Sequence, residues 1–487
     1  MGSQSYGATL SELARASPAG VALICDDALL DFAELERRSN RLARAYAARG
    51  VRFGDRVSLC LPNGLELVAA CFATWKLGAV PNPLSDQLPP AERNAILEVA
   101  QPSLVVGLDP GETESAPTLP VGFQPSTDLS DAPLEARTAP HERALASGGS
   151  TGLPKLILPK SEAAYDPETA SPLFRAKQAV LVPGPLYHSV PFSSTFQGIL
   201  AGCTVVLMKR FDPRRFLALI EEHRVDRVSV VPTMMHRIWR IPEAEREAYD
   251  VSSLEFLLTG GAPLPAWLMR AWIEWLGPEV MHEAFGPSER IGGTFITGVE
   301  WLEHPGSVGR PTVPGSLRIL DENRNELPAG QMGEIFMFPP GGAGSTYQYM
   351  GATADRLLDG WESVGDMGYL DEDGYLYLGD RRSDMILTGG RNVYPAEIEA
   401  ALMEHPSVQS CAVVGVADED LGQRIHAVLE CPDGFDPESL SAHLAARLVH
   451  YKRPGSFEVV DRPIRNDAGK VRRAALRPDE PPPGASS

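Results

Sequence analysis

Three glycines, three hydroxyl residues and one lysine fall within Ser147-Gly148-Gly149-Ser150-Thr151-Gly152-Leu153-Pro154-Lys155. Glycine lets a backbone turn where a side chain would clash, and it leaves amide N–H groups open to an anion. Hydroxyls and an ammonium add donors. This is the composition of a loop that wraps phosphate, and equally of a plain surface turn. It is not the G-x-x-x-x-G-K-S/T nucleotide loop, because its lysine follows Leu-Pro. Other stretches offer complementary chemistry, each with a blander reading. Phe285-Gly286-Pro287-Ser288-Glu289 sets a carboxylate beside a hydroxyl on a Gly-Pro turn, a place for a hard metal ion or for a solvated glutamate. Gly260-Gly261-Ala262-Pro263 is small enough to admit a flat ring to the backbone, or is simply a strand-to-helix turn. Asp366, between Gly365 and Gly368, suits a ribose diol, which offers two donors, or bulk water. Lys470 lies in the basic stretch Ile464 to Arg473, where solvation alone is the simplest state.

In this order the stretches resemble the signature motifs of the adenylate-forming superfamily, which holds acyl- and aryl-CoA ligases, nonribosomal adenylation domains and luciferases. The resemblance runs from about residue 10 to 475. The Ser-Gly-Gly-Ser-Thr-Gly variant looks closest to CoA ligases for bulky or ring-bearing acids. The resemblance implies ATP and Mg²⁺, with CoA as the second substrate. It places Ser147, Gly148, Gly149, Ser150, Thr151, Gly152 and Lys155 at the β and γ phosphates. Gly261, Ala262, Glu283, Ala284, Phe285 and Gly286 then belong to the adenine region, Ser288 to the phosphates and Glu289 to Mg²⁺. Asp366 takes the ribose hydroxyls, and Arg381 the same nucleotide region. Lys470 bridges the acid oxygen and the α-phosphate, where a fixed cation offsets the charge that builds during attack. His188 borders the acyl pocket and gates the second half-reaction, with Phe192, Met234, Gly260, Gly261, Gly286 and Ile291 as pocket neighbours. Ser383 is the implied hinge. Gly389, Gly390 and Arg391 line the thioester-forming site once the small domain turns. Three positions depart from the family pattern: Phe285 stands for tyrosine, Arg391 for an acidic residue, and Ser383 for Asp or Lys.

The elements that must position these residues can be read from patterning. Apolar runs at Val21–Cys25, Val57–Leu61, Ala79–Pro83, Leu104–Val106, Lys177–Val182, Gly202–Leu207, Val228–Pro232 and Leu254–Thr259 predict buried strands. Helical patterns at Leu10–Ala16, Phe32–Ala48, Leu65–Leu77 and Pro265–Leu276, and a start at Asp212-Pro213, alternate with them. A parallel α/β architecture with sites at strand ends follows. Residues 107–140 are acidic and proline-rich and predict an irregular crossing. From Gly306, Leu317–Asp321 and Gly333–Met337 predict antiparallel strands with alternating exposure. Pro395–Met403 and Pro437–His450 predict helices among strands at Val408–Val416, Arg424–Leu429 and Phe457–Val460.

At 487 residues the chain exceeds one hydrophobic core. The expected division is a large α/β domain over 1–382, with parallel sheets and a small β-rich part, then a mobile α+β domain over 383–478 and a disordered tail over 479–487. A net charge of -20 repels nucleic acid and anionic membrane. Six scattered cysteines fit reduced thiols, and no window of eighteen apolar residues is present. A cytoplasmic enzyme is expected, with a homodimer allowed. An acyl phosphate anhydride acylates readily, so no cysteine or serine nucleophile is required. Three other readings stay open: an amide synthetase passing acyl-AMP to an amine, an enzyme loading a carrier protein, and a binding protein that kept a dead ligase fold.

Overall fold

The computed structural model describes residues 2–148, 154–169, 173–354, 357–381, 384–418, 420–432, 434–466 and 469–476, with Gly148, Leu357, Asp380, Arg381, Asn392 and Ala474 described by backbone alone. Gly149, Ser150, Thr151, Gly152, Ser383 and the expected tail lie outside the described residues.

Among the described residues a nine-stranded sheet organises the large domain. Its middle strands are parallel, in the order Met281–Phe285, Phe256–Gly260, Arg227–Val230, Ala179–Val182, Thr204–Leu207 and Val21–Cys25. Ala28–Asp31 closes one edge antiparallel, and Thr294–Thr297 with Arg310–Pro311 closes the other. Val180, Leu181, Val205, Val206, Val228 and Leu257 are fully buried because helices cover both faces. Each such side chain contributes about 2 kcal/mol by burial. Asp212 caps the helix Pro213–His223, its Oδ1 accepting from Arg215 N at 2.8 Å. The helix Ala266–Leu276 buries Leu268, Met269, Trp272 and Ile273 along one stripe.

Among the helices that escape the sequence patterning are Ser189–Leu200 and Pro232–Trp239. Ser189–Leu200 carries Pro191 and four hydroxyl residues in a short span. Pro232–Trp239 begins on Pro232, which patterning assigns to the end of a strand. Proline tolerates the first helical turn, where its missing N–H has no partner to lose.

A second, all-parallel sheet joins Val80–Pro83, Arg56–Leu59, Leu104–Val106 and Thr118–Leu119. The last of these lies inside the crossing expected to be irregular. Leu317–Leu320 and Gly333–Met337 pair antiparallel as expected. The expected alternation fails in the second: every residue of Gly333–Met337 is buried, with Ile335 and Met337 packed in an apolar cluster with Leu317 and Ile319.

The small C-terminal domain is built on Ser410–Asp418 and Gly422–Glu430, paired antiparallel along their length. The helix Pro395–Met403 matches its expected bounds. The helix expected over 437–450 stops at Ala445: Val449 adopts an extended backbone, and a short 3-10 turn follows at His450–Lys452. No helix among the described residues is long and apolar enough to cross a membrane.

Candidate active site

The two ends of the glycine-rich stretch lie on paired strands. Leu145–Gly148 pairs antiparallel with Pro154–Pro159, with Ser147 opposite Lys155. Tyr347–Met350 adds along the other edge of Pro154–Pro159. That third strand brings Tyr349 beneath Lys155, whose Nζ lies 3.9 Å from the ring centroid. The Tyr349 hydroxyl donates to Glu289 Oε1 at 2.6 Å, and Lys155 Nζ lies 3.8 Å from the same oxygen. Burial and the Glu289 carboxylate push the Tyr349 phenol well above its ordinary range, so it stays a donor.

Glu289 is 7% exposed and sits on the turn after the strand Met281–Phe285. Thr346 Oγ1 donates to its carbonyl at 2.9 Å. Its neighbour Arg290, at φ 57°, reaches back to Glu142 with Nη2 to Oε2 at 2.8 Å. Glu142 precedes the hairpin, so one ion pair ties the Glu289 turn to the glycine-rich stretch. Among the described residues no group of three or more His, Cys, Asp or Glu could hold a metal ion. A single carboxylate fits Mg²⁺, which takes one or two carboxylates and fills its shell with other oxygens and water.

Gly260 and Ala284 are register partners at the same sheet edge. A Cβ on Gly260 would stand 2.3 Å from the Ala284 carbonyl oxygen, so its smallness serves strand packing. Gly261, at φ 79°, has open space, its nearest neighbour being a Val231 methyl at 4.0 Å. Phe285 and Ser288 are half-buried beside them. Glu283 is 5% exposed, and burial pushes its carboxyl up to about 8. Asp366 and Arg381, far apart in the chain's motifs, are Cα partners on adjacent strands.

His188 sits on the turn before the helix Ser189–Leu200. Asn63 holds that turn: its Nδ2 donates to Gly184 O at 2.9 Å and to Met208 O at 3.2 Å, while its Oδ1 accepts from Leu186 N at 2.9 Å. Sequence patterning gives Asn63 only as a turn residue. Burial, helped by the Lys470 ammonium, pushes the His188 imidazole down to about 3. Of the other acyl-pocket candidates, Phe192 is enclosed by Trp75, Phe196 and the Arg143 guanidinium. Met234 and Ile291 are 3% and 2% exposed and belong to apolar clusters of the core.

Lys470 comes from the small domain. It lies on a tight turn where Asn466 Oδ1 accepts from Lys470 N at 2.9 Å and Gly469 N donates to Asn466 O at 2.8 Å. Buried Glu399 braces this turn through Arg465 at 2.8 Å and Arg473 at 2.6 Å. Burial alone would raise the Glu399 carboxyl, but these two guanidiniums hold it low. Gly469 fits against Thr233 of the large domain, where a Cβ would meet Thr233 Oγ1 at 2.6 Å. Arg472 pairs with Glu92 at 2.5 Å, and Arg240 Nη1 donates to Pro406 O at 3.0 Å, both across the domains. Gly389 and Gly390 form an open turn between Ile386–Thr388 and Arg391–Val393, with Arg391 over the Tyr451 ring at 4.5 Å. All six cysteines are unpaired and buried.

Residues 10–344 match the family model described as AMP-binding enzyme, and residues 397–470 match that of the AMP-binding enzyme C-terminal domain. The chain is 32% identical over 487 residues to a 2-succinylbenzoate–CoA ligase of Bacillus licheniformis, covering 96% of this chain and 98% of that one. It is 33% identical over 503 residues to a feruloyl-CoA synthase of Amycolatopsis sp, covering 98% and 99%. Among solved structures, o-succinylbenzoate coenzyme A synthetase from Bacillus subtilis in complex with ATP and magnesium ion superposes with a TM-score of 0.80 at 28% identity, covering 97% and 99%.

Proposed function

The chain belongs to the AMP-binding enzyme family, and from that premise we propose that it is an AMP-forming ligase that activates a ring-bearing carboxylic acid and passes the acyl group to CoA. The observation that carries this reading is the placement of Lys470, on the small-domain turn whose Gly469 packs against Thr233 of the large domain. Lys155 lies 3.8 Å from Glu289, and Asp366 and Arg381 are Cα partners on adjacent strands of another sheet.

In the first step the acid's carboxylate oxygen attacks the α-phosphorus of ATP. The bond from that phosphorus to the bridging oxygen breaks, and pyrophosphate leaves. Lys155 and the hairpin hold the β and γ phosphates, and Lys470 offsets the charge on the reacting oxygens. Glu289 would hold Mg²⁺, which when bound neutralises phosphate charge. Alignment supplies most of the acceleration, since no covalent help from the protein is needed. In the second step the CoA thiolate attacks the acyl carbonyl, and AMP leaves with the oxygen that came from the acid. His188 is neutral at physiological pH and serves as a wall and hydrogen-bonding group.

CoA is favoured over an amine because the relatives that the chain matches along nearly its whole length are named as CoA ligases. The same reading divides the chain at Ser383, with the small domain turning about it. The unpaired, buried cysteines support a cytoplasmic setting.

The test is product identification by mass spectrometry, with ATP, Mg²⁺, a panel of aromatic and fatty acids, and either CoA or an amine. Acyl-CoA is expected. Amide formed without thiol would overturn the CoA assignment, and faster loading of a carrier protein than of free CoA would move it to the carrier.

A further inference from the structure

Three of the contacts that bring the small domain against the large one start from a single helix. On Pro232–Trp239 and its C-cap, Thr233, His236 and Arg240 recur at spacings of three and four, which places them on one face. Each meets the small domain. Thr233 is the residue against which Gly469 packs. His236 Nε2 lies 3.2 Å from the Met403 carbonyl oxygen. Arg240 Nη1 donates to Pro406 O at 3.0 Å and to Val408 O at 3.1 Å.

Only an N–H can bond a carbonyl, so the proton of a neutral His236 sits on Nε2. Met403 ends the helix Pro395–Met403, and its carbonyl is one of those a helix leaves without an internal partner. His236 is 3% exposed, and its Nδ1 is buried with no hydrogen-bond partner among the described residues. The charges that act on the ring are the guanidiniums of Arg237 and Arg240 on its own helix and of Arg465 from the small domain, the last paired with Glu399. The helix Ala266–Leu276 presents the Trp267 ring, 5.8 Å away. Burial outweighs the Met403 carbonyl and, with the three guanidiniums, holds the imidazole down to about 4.

We infer that His236 is a positioning residue for adenylation: its neutral imidazole latches the small domain in the arrangement that presents Lys470, and its protonation releases that arrangement. This rests on the reading that the small domain turns between the half-reactions. Turning breaks the bond to Met403, withdraws Arg465 and lets water reach Nδ1, so the imidazole returns towards its ordinary 6.5. The docked arrangement then binds fewer protons than the turned one. Docking is therefore full above pH 6.5 and weakens as pH falls towards 4. Between about pH 7.5 and 5.5 the docking constant should fall about 10-fold.

All six cysteines are buried, so dyes can be attached at Glu162→Cys in the large domain and Glu438→Cys in the small one, both exposed positions. Single-molecule energy transfer in the full chain reads the docked fraction across that pH range. Wild type is expected to show the 10-fold fall. His236→Gln keeps an N–H for Met403 O and cannot titrate, so its docking should stay constant within about twofold. His236→Leu loses the bond and should dock about 2- to 10-fold more weakly at neutral pH, again without a slope. Single-turnover adenylation by His236→Gln, relative to wild type, should rise by up to about 10-fold as pH falls. The same ratio for thioester formation from preformed acyl-adenylate should not rise, a split that a merely structural histidine would not give. One distance at every pH, a docked fraction that ignores pH, or a slope that survives His236→Gln would overturn the inference. If neither substituted protein folds, the wild-type slope decides alone, a change below about twofold being the overturning result. A slope that depends on His236, with no pyrophosphate from any acid, spares the latch and sinks the adenylation reading. Pyrophosphate release with docking independent of pH does the reverse.

Discussion

The Tyr349 hydroxyl donates to Glu289 Oε1 at 2.6 Å while the Tyr349 ring lies 3.9 Å from Lys155 Nζ. One side chain thus orients both the carboxylate assigned to Mg²⁺ and the lysine assigned to phosphate. Tyr349→Phe keeps the ring under Lys155 and removes the hydrogen bond. Loss of a hydrogen bond to a charged group predicts about a 10-fold fall in kcat/KM for ATP. Tyr349→Ala loses the ring as well and should fall further. Steady-state kinetics at varied Mg²⁺ separate the two; equal effects would mean that the hydroxyl alone matters.

Gly469 has φ 74° and no room for a Cβ against Thr233 Oγ1. Gly469→Ala should therefore push Lys470 out of the large domain. Adenylation is predicted to slow by at least about 10-fold, while thioester formation from preformed acyl-adenylate proceeds at its wild-type rate. Thr233→Ala in the same protein should recover part of the first rate by removing the clash. Single-turnover assays of each half-reaction check this, and equal slowing of both would tie Gly469 to folding alone.

Asn63 makes three hydrogen bonds that hold the chain leading to His188. Asn63→Ala leaves two carbonyls and one amide without that partner. A stability loss of about 2–3 kcal/mol is expected in denaturant unfolding. KM for the acid should rise more than KM for ATP, because the turn borders the acyl side.

Burial raises the Glu283 carboxyl from its ordinary 4.5 to about 8. The folded chain therefore holds a proton that the unfolded chain has released between these values. Stability from this group is full below pH 4.5, declines as pH rises and is lost above about 8. Glu283→Gln keeps a neutral, similarly shaped group. It is predicted to flatten the decline in melting temperature across that window and to stabilise the protein at alkaline pH. An unchanged pH profile would show that Glu283 is not held protonated.

The turns that carry Lys155, Glu289 and Lys470 are legible because glycine and proline mark them, while the roles given to the three side chains come from family resemblance. Tyr349 is not legible in this way. It lies in Ser345-Thr346-Tyr347-Gln348-Tyr349-Met350, which the sequence patterning leaves unassigned. Its role comes from pairing with Pro154–Pro159, nearly two hundred residues earlier, and no local pattern encodes that register. The helix Ser189–Leu200 was obscured by Pro191 and its serines, which ordinarily favour turns. The hinge assigned to Ser383 and the loop tip at Gly149 to Gly152 rest on family resemblance alone.

The central claim is that an oxygen of the acid attacks the α-phosphorus of ATP. It is tested most directly by supplying a turned-over acid labelled with ¹⁸O in its carboxylate and following the label by mass spectrometry. One labelled oxygen should appear in AMP, with none in pyrophosphate. Label in inorganic phosphate accompanied by ADP, or unlabelled AMP, would contradict it.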